Sequence, residues 1–338
     1  MRWLFGHTAA RWAHAQAERH RWCGLALYAL DGVVWRTPDT PANRARFGCQ
    51  RNHAEHRSPF PLVRMACLQA VRTRLLVDAS LDAYGTSEDT LAARLWPQLP
   101  VDSLVIVDKG FYSAGLLLPL QQQGRHWLIP ARAGLKGEVL RSHGPGDEDR
   151  VMKVSPQARK KNPALPLTWT VRAITRDLDG RPKTVLTSLA DPQRWPADEV
   201  FDLYHERWEI ELAYAEIKTD MLRQAMTLRS QHPEGIEQEL WATLLMYNLI
   251  RVEMARIAQE AAVPPSRISF ITALRYIIDE WIWSSGRVAP GAIPAKLRNM
   301  RQAIRRFLLP PRRSRRRYPR AVRMTKTHYP IMKNAAQR

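Results

Sequence analysis

The sequence predicts an α/β fold with a β-strand insertion and a helical, basic C-terminal region, and three observations support this. Apolar runs alternate with helix-like segments over residues 25–132, which is typical of a sheet with parallel strands. The amino-acid composition changes over residues 133–197, where glycine, proline and charged residues surround short β-prone pieces. Residues 281–338 contain sixteen Lys and Arg and no Asp or Glu.

The first part of the chain supplies the predicted core sheet and its helices. Apolar runs predict buried strands at 25–31, 60–71, 74–84, 103–113 and 126–132. Helices are predicted at 8–22, 86–99 and 113–124. The second and third strands are expected to form a hairpin around Arg72–Thr73. Two of the apolar stretches end on an aspartate, Asp31 and Asp108, so we expect each strand end to carry a carboxylate.

The second part of the chain is predicted to be a β insertion followed by helices. Three β-prone pieces lie in the insertion and read RVMKVS, LTWTVRAIT and KTVLTSLA. Helices are predicted at 197–222, 234–262, 267–283 and 294–308. We therefore divide the chain into a helical lead-in, a first part of the core, the β insertion, a helix that completes the core, a helical region and a basic tail. These segments are residues 1–24, 25–132, 133–197, 198–232, 233–309 and 310–338.

Charge and composition narrow the classes of function. The formal net charge is +20 and the isoelectric point is near 10.5, which favours a polyanionic partner such as nucleic acid. No apolar stretch is long enough to predict a membrane span, and the N-terminal residues lack the apolar segment of a signal peptide. Three widely spaced cysteines predict neither a disulfide framework nor a zinc ribbon, so a cytoplasmic location fits best.

The most informative segment is the predicted helix YHERWEIELAYAEIK, residues 204–218. At about 100° per residue, four functional side chains share a sector about 60° wide: Tyr204, Arg207, Glu211 and Lys218. This sector is expected to face the interior because it is flanked by Phe201, Trp208 and Ala215. Three glutamates point the other way and are expected to be ordinary solvated carboxylates: Glu206, Glu209 and Glu216.

Charged side chains on a packed face cost desolvation energy, which pairing or a ligand must offset. One interpretation is a buried structural network of ion pairs. The other joins Glu211 to Asp31 and Asp108, whose carboxylates could hold two divalent ions about 4 Å apart. Hard oxygen ligands suit Mg²⁺ or Mn²⁺. Two such ions activate a water or hydroxyl and stabilise the leaving oxygen of a phosphodiester.

The spacing of Tyr204, Arg207, Glu211 and Lys218 resembles the signature of the insertion-sequence-4 family of transposases. The segment ALDGVVWRTPDTPANRARFG (29–48) resembles the family's segment around its first catalytic aspartate, and VDKGFYSAGLL (107–117) resembles the segment around the second. The arginine that usually follows the second aspartate is Lys109 here. The three motifs occur in the family's order, and the resemblance covers about residues 20–300.

This resemblance implies a ribonuclease-H-like core in which Asp31, Asp108 and Glu211 form a DDE triad and bind two Mg²⁺ or Mn²⁺ ions. It implies that water attacks a phosphodiester at the transposon end and that the freed 3′-hydroxyl attacks the opposite strand or the target. The implied partners are double-stranded DNA, at the terminal inverted repeats and at the target, and a second copy in a homodimer. Asp39 is an alternative to Asp31, but its turn sequence TPDTP and the motif match favour Asp31.

The resemblance and the charge also name candidate DNA contacts. Phosphates would be bound by Tyr204, Arg207, Lys218 and Lys109, and the candidates for stacking on a base are Trp195 and Trp208. The densest part of the basic tail would bind the phosphate backbone through Arg312, Arg313, Arg315, Arg316 and Arg317.

Three functional interpretations follow from these features. The first is an active cut-and-paste transposase. The second is a truncated remnant that binds DNA without transposing, because relatives carry a helical N-terminal region and here Asp31 follows only thirty residues. Residues 1–24 would then be one helix left from that region. The third is a related ribonuclease-H-like nuclease.

Overall fold

The computed structural model describes residues 1–53, 56–132, 134–178, 180–223, 227–286 and 288–311. The strands within these ranges are β1 (Ala26–Arg36), β2 (Arg51–His53), β3 (His56–Arg57), β4 (Leu62–Ala70), β5 (Leu75–Ala83), β6 (Ser103–Val107), β7 (His126–Pro130), β8 (Glu138–Gly144), β9 (Asp147–Lys153), β10 (Thr168–Asp177) and β11 (Pro182–Thr187). The α-helices are α1 (Arg2–Arg19), α2 (Pro41–Phe47), α3 (Glu88–Leu95), α4 (Ala114–Gln122), α5 (Pro156–Lys161), α6 (Ala197–Leu203), α7 (Trp208–Ala215), α8 (Pro233–Glu260), α9 (Phe270–Ser284) and α10 (Ile293–Arg305).

One mixed sheet organises the described residues, with the strand order β5-β4-β1-β6-β7-β11-β10-β9-β8. Strands β1, β4 and β5 are antiparallel neighbours, whereas β6 runs parallel to β1 and β7 runs parallel to β6. This half of the sheet has the order and directions of a ribonuclease-H-like core. The expectation of parallel strands is correct for β1, β6 and β7, and the hairpin at Arg72–Thr73 forms as predicted.

The β insertion continues the core sheet. Strand β11 pairs antiparallel with β7, and β10, β9 and β8 follow by antiparallel pairing. The three β-prone pieces of the sequence correspond to β9, β10 and β11. Strand β8 was not predicted, because its residues are almost all exposed and carry no apolar alternation. A buried ion pair joins two of these strands, with Arg172 of β10 bonded to both carboxylate oxygens of Asp147 at 2.8 and 2.7 Å.

Alternation along β1 divides the core into two layers. Leu27, Ala29 and Val33 contact the layer that contains α7, α8 and α9. Tyr28 and Leu30 contact the opposite layer, which contains α3 and α4. Since successive side chains point to opposite faces of a strand, the odd-numbered positions of β1 face α7. Asp31 is one of them.

The helix predicted to run from residue 197 to 222 is continuous but not uniform. After α6, residues Tyr204–Arg207 form a 3₁₀ turn, and after α7, residues Glu216–Met221 form a π-helical turn. A single rotation of about 100° per residue therefore does not describe the segment. In the described part of the chain, no helix has both the length and the apolar composition that crossing a membrane requires.

The edge strand β5 is covered by a polar side chain from α8. The Asn248 side chain is fully buried; its Oδ1 accepts from the Leu76 amide N–H at 2.8 Å, and its Nδ2 donates to the Leu76 carbonyl at 2.7 Å. An edge strand has backbone groups that no neighbouring strand can bind. Asn248 satisfies two of them and thereby fixes α8 to the sheet.

Replacing Asn248 tests this attachment. We expect Asn248→Ala to lower the free energy of unfolding by about 2–4 kcal/mol, because two buried backbone groups lose their partners. The matched control is Asn162→Ala, since Asn162 is exposed and its side-chain Oδ1 accepts from the Ala164 amide N–H; it should cost less than about 1 kcal/mol. Urea unfolding of both variants measures the difference, and equal losses would contradict the assignment.

Candidate active site

Asp31 and Asp108 are neighbours on adjacent strands. The parallel pairing of β1 with β6 ends at Leu30 opposite Val107, so the next residue on each strand is an aspartate. Asp108 keeps an extended backbone, and strands lie about 4.8 Å apart. Asp31 does not end its strand as predicted, because β1 continues to Arg36 against β4. What ends there is the pairing with β6.

Glu211 is brought to these aspartates by α7. Both aspartates lie on the face of the sheet that α7 covers, and Glu211 follows the 3₁₀ turn by one helical turn. Its carboxylate Oε1 is 2.7 Å from Nη2 of Arg207. All three carboxylates are half-buried. The structure therefore gathers Asp31, Asp108 and Glu211 around one arginine.

The pKa of Asp31 reflects its burial and the charged side chains around it. Burial is the largest effect and raises the pKa of Asp31 from 3.8 to about 6. A hydrogen bond from the Gly32 amide and the charge of Arg207 act in the opposite direction and lower this pKa. The carboxylates of Glu211 and Asp108 raise it further. Neighbouring carboxylates that raise the pKa of a partly buried carboxyl group favour a cation beside it. Oxygen donors of this kind suit a hard divalent ion.

No group of three His, Cys, Asp or Glu side chains among the described residues is arranged as a metal site. Glu211 instead uses its carboxylate to pair with Arg207. The oxygen donors that a divalent ion would need lie on one face of the sheet, in the carboxylates of Asp31, Asp108 and Glu211. These carboxylates differ in their hydrogen-bond partners. Asp31 bonds the Gly32 amide, and Glu211 bonds Arg207.

Arg207 is buried beside the carboxylates, as the sequence predicted for its sector. It is 8% exposed, and its guanidinium carbon lies 5.9 Å from the ring centre of Tyr204 and 5.1 Å from that of Trp208. Burial alone would lower its pKa, but Tyr204, Glu211 and Asp108 together raise it. Arg207 therefore stays cationic next to the site.

Tyr204 and Lys218 lie at the two ends of the same sector. Burial raises the pKa of the half-buried Tyr204 hydroxyl. Burial and the charge of Arg36 lower the pKa of Lys218. The Lys218 Nζ lies 3.4 Å from the carbonyl oxygen of Val34 and 5.0 Å from the ring centre of Trp35. Lys218 thus contacts β1 three residues beyond Asp31.

Five other sequence predictions have different outcomes. Trp208 was placed beside the interior sector, and this is wrong because its side chain is 53% exposed. Trp195 is buried in the core at 6% exposure, which leaves no face for stacking on a base. Lys109 is exposed beside Asp108. Asp39 accepts a hydrogen bond from Arg44 at 2.7 Å and is not among the charges that shift the pKa of Asp31. The tail arginines lie outside the described residues: Arg312, Arg313, Arg315, Arg316 and Arg317.

Sequence reasoning missed Tyr214, which fastens α7 to β1. Its hydroxyl donates to the carbonyl oxygen of Asp31 at 2.8 Å, and its side chain is buried. The spacing offered a signal, since Tyr214 follows Glu211 by three residues and so lies on the same side of the helix. It also missed the pairing of Glu209 and Glu216, which were expected to be solvated. Their side chains are 15% and 12% exposed and bind arginines of the core.

Comparisons with known proteins agree with one family. A family model described as "Transposase DDE domain" matches residues 22–249. The chain is 41% identical over 340 residues to "Transposase InsG for insertion sequence element IS4" of Escherichia coli strain K12, which covers all of this chain and 76% of that protein. It is 35% identical over 140 residues to "Putative transposase InsZ" of the same strain, covering 41% of this chain and 47% of that protein. A solved piggyBac transposase synaptic complex with hairpin DNA is 12% identical, with a TM-score of 0.44 over 86% of this chain and 59% of that one.

The raised pKa of Asp31 predicts a pH-dependent gain in stability for Asp31→Asn in a metal chelator. A folded-state pKa of about 6 against 3.8 means that ionisation penalises folding as the pH rises from about 4 through 6. Asn cannot ionise, so the variant should be more stable than the wild type at pH 7.5, by at most about 3 kcal/mol. The gain should be about half as large at pH 5.

Asp82→Asn is the control with the opposite sign. Although burial would raise its pKa, the Ala83 amide, Arg46 and Arg94 lower it to about 2. Removing this carboxylate should therefore destabilise the protein at both pH values. Thermal unfolding of the three proteins measures the effect, and a destabilised Asp31→Asn at pH 7.5 would contradict the burial of the Asp31 charge.

Proposed function

The chain belongs to the DDE transposase family, and we propose that it cuts and joins DNA at the inverted repeats of an insertion sequence through Asp31, Asp108 and Glu211. The observation that carries this proposal is the meeting of the three carboxylates on the α7 face of the sheet, around Arg207. Family membership gives the class of enzyme, a DNA transposase with polynucleotidyl transferase and endonuclease activity.

Two Mg²⁺ or Mn²⁺ ions, held by these carboxylates, would activate the attacking hydroxyl and stabilise the leaving oxygen of the phosphodiester. The chain's own residues supply the rest. Arg207 is cationic beside Asp108 and Glu211, so it can bind a phosphate oxygen as that oxygen gains charge. Tyr204 presents its hydroxyl next to Arg207, and exposed Lys109 adds a positive charge beside Asp108. These three side chains would hold the cleaved strand against the carboxylates.

Further side chains near the three carboxylates would contact the DNA. The exposed Trp208 ring stands beside Arg207 and is available to stack on a base at the transposon end. Lys218 would bind a phosphate farther along the helix, through the N–H groups that Val34 does not use. Two copies of the chain would hold the two transposon ends, and the basic tail would add contacts to the backbone.

Replacing one carboxylate tests the catalytic proposal. We expect Asp108→Asn to abolish Mn²⁺-dependent nicking of inverted-repeat DNA, a loss of at least about 1,000-fold, because the metal loses a charged ligand. Binding of the same DNA should change little. Asp39→Asn is the control, since Asp39 pairs with Arg44 outside the site. Nicking that persists in Asp108→Asn would refute the triad.

The same assay separates the alternatives. A remnant that only binds DNA would show no nicking in the wild type. A nuclease would nick without joining the freed 3′-hydroxyl to a second DNA molecule. A transposase should nick and join, and both activities should disappear together in Asp108→Asn.

The basic tail should set the salt dependence of DNA binding. Replacing five arginines by Gln should lower the slope of log Kd against log salt by about 4 if each neutralises one phosphate: Arg312, Arg313, Arg315, Arg316 and Arg317. The matched control changes the same five residues to Lys, which keeps the charge and should keep the slope. Fluorescence anisotropy at several salt concentrations measures it, and an unchanged slope in the Gln variant would exclude the tail from binding.

A further inference from the structure

A single arginine binds two glutamates on the outer side of the helix that carries Glu211. Arg74 lies at the tight turn between β4 and β5, with a positive φ of 59° and an exposed side-chain fraction of 9%. Its Nε donates to Oε2 of Glu209 at 2.6 Å, and its Nη1 donates to Oε1 of Glu216 at 2.5 Å. Glu209 and Glu216 are seven residues apart, so one guanidinium spans two helical turns.

Glu216 is also bound from the opposite side. The Tyr247 hydroxyl donates to its Oε2 at 2.8 Å, and Arg251 donates to the same oxygen. The Arg251 side chain is 3% exposed, and its guanidinium carbon lies 5.0 Å from the ring centre of Phe270. The carboxylate of Glu216 therefore joins the β4–β5 turn to α8 and α9. We call Arg74, Glu209, Glu216, Tyr247 and Arg251 the arginine clamp.

Two glutamates of the arginine clamp lie close to the site residues in the sequence. Glu211 lies between the two clamped glutamates, and Lys218 lies two residues beyond Glu216, inside the π-helical turn that Glu216 begins. A π turn changes the rotation of every later side chain and is energetically unfavourable in isolation. On the inner side, the helix is held by Tyr214 at Asp31 and by Lys218 at Val34. Contacts on both sides thus fix its position over β1.

We propose that Arg74 is a positioning residue that fixes the helix carrying Glu211 over β1, so that Glu211 can join Asp31 and Asp108 in binding a divalent ion. This inference rests on the proposed function in assigning metal binding to those carboxylates. Arg74 binds the carboxylates of Glu209 and Glu216 and not those of Asp31, Asp108 or Glu211. Its effect passes through the Glu209 and Glu216 side chains to the helix backbone.

A neighbouring ion pair provides the control. Arg72 lies two residues away and binds Glu206 on the same helical segment, at 3.2 Å, with side-chain exposures of 35% and 30%. This pair joins the same two elements and has the same charges, but it binds one glutamate and is half-exposed. Exposed pairs of this kind contribute little rigidity. Arg72→Lys therefore tests for a general effect of charge or of the β4–β5 turn.

The experiment measures Mn²⁺ binding to the full chain by electron paramagnetic resonance, with inverted-repeat DNA present and absent. We expect Arg74→Lys, which keeps the charge but replaces the two separate donor nitrogens of the guanidinium by one ammonium, to weaken Mn²⁺ binding about tenfold, the effect typical of residues that orient metal ligands. Arg72→Lys should change it less than about twofold. Asp108→Asn shows which part of the binding belongs to the site.

A second variant separates positioning from folding. Removing Arg74 alone takes one ion-pair partner from each of two largely buried carboxylates, which would destabilise the protein. The double change Arg74→Met and Glu209→Gln removes the Arg74 bridge together with the Glu209 charge, and it leaves Glu216 paired with Arg251 and Tyr247. It should melt close to the wild-type temperature and still bind Mn²⁺ about tenfold more weakly.

Each outcome decides the inference. Wild-type Mn²⁺ affinity in both Arg74 variants would overturn it, and so would an equal loss in Arg72→Lys. A wild type without Asp108-dependent Mn²⁺ binding would also overturn it. A wild type that binds Mn²⁺ through Asp108 and Arg74 but neither nicks nor joins DNA would support the inference while refuting the proposed function.

Discussion

Three carboxylates share one partly buried face of a sheet, and the cost of holding their negative charges together shapes the surrounding structure. The pKa of Asp31 rises because burial and its two neighbours disfavour its charged form. Arg207 is the nearest compensating charge and is itself buried. A site of this kind is unfavourable when empty of cations and becomes favourable when cations bind. The rest of the fold keeps it assembled against that repulsion.

The scaffold meets this requirement by holding one helix on two sides. Tyr214 and Lys218 connect it to β1, next to Asp31, while Glu209 and Glu216 connect it to Arg74 and the C-terminal helices. Each connection ends on a backbone carbonyl or on a second buried charge, so none can rotate freely. The helix that carries Glu211 is therefore held to the sheet more rigidly than apolar packing alone would achieve.

Local sequence patterns predicted the parts of this site that depend on alternation and spacing. The apolar runs before Asp31 and Asp108 located two adjacent strands, and the spacing of Arg207 and Glu211 placed both beside them. The fate of Glu209 and Glu216 could not be predicted, because their partner Arg74 is distant in sequence. Trp208 was misplaced because the 3₁₀ turn before it rotates the helix. Strand β8 was missed because it lacks a buried face.

The pairing of β11 with β7 has a consequence for how the molecule can be divided. Without the insertion, β7 would present a row of unpaired N–H and C=O groups next to an apolar strand, and such edges template association with other chains. The insertion pairs with that edge, so that β8 becomes the edge strand of the sheet. Strand β8 is exposed, and its pairing is interrupted by register shifts. Strands β8 to β11 thus form the outer edge of the sheet that carries Asp31 and Asp108. An excised core would be prone to aggregate rather than to survive as a smaller enzyme.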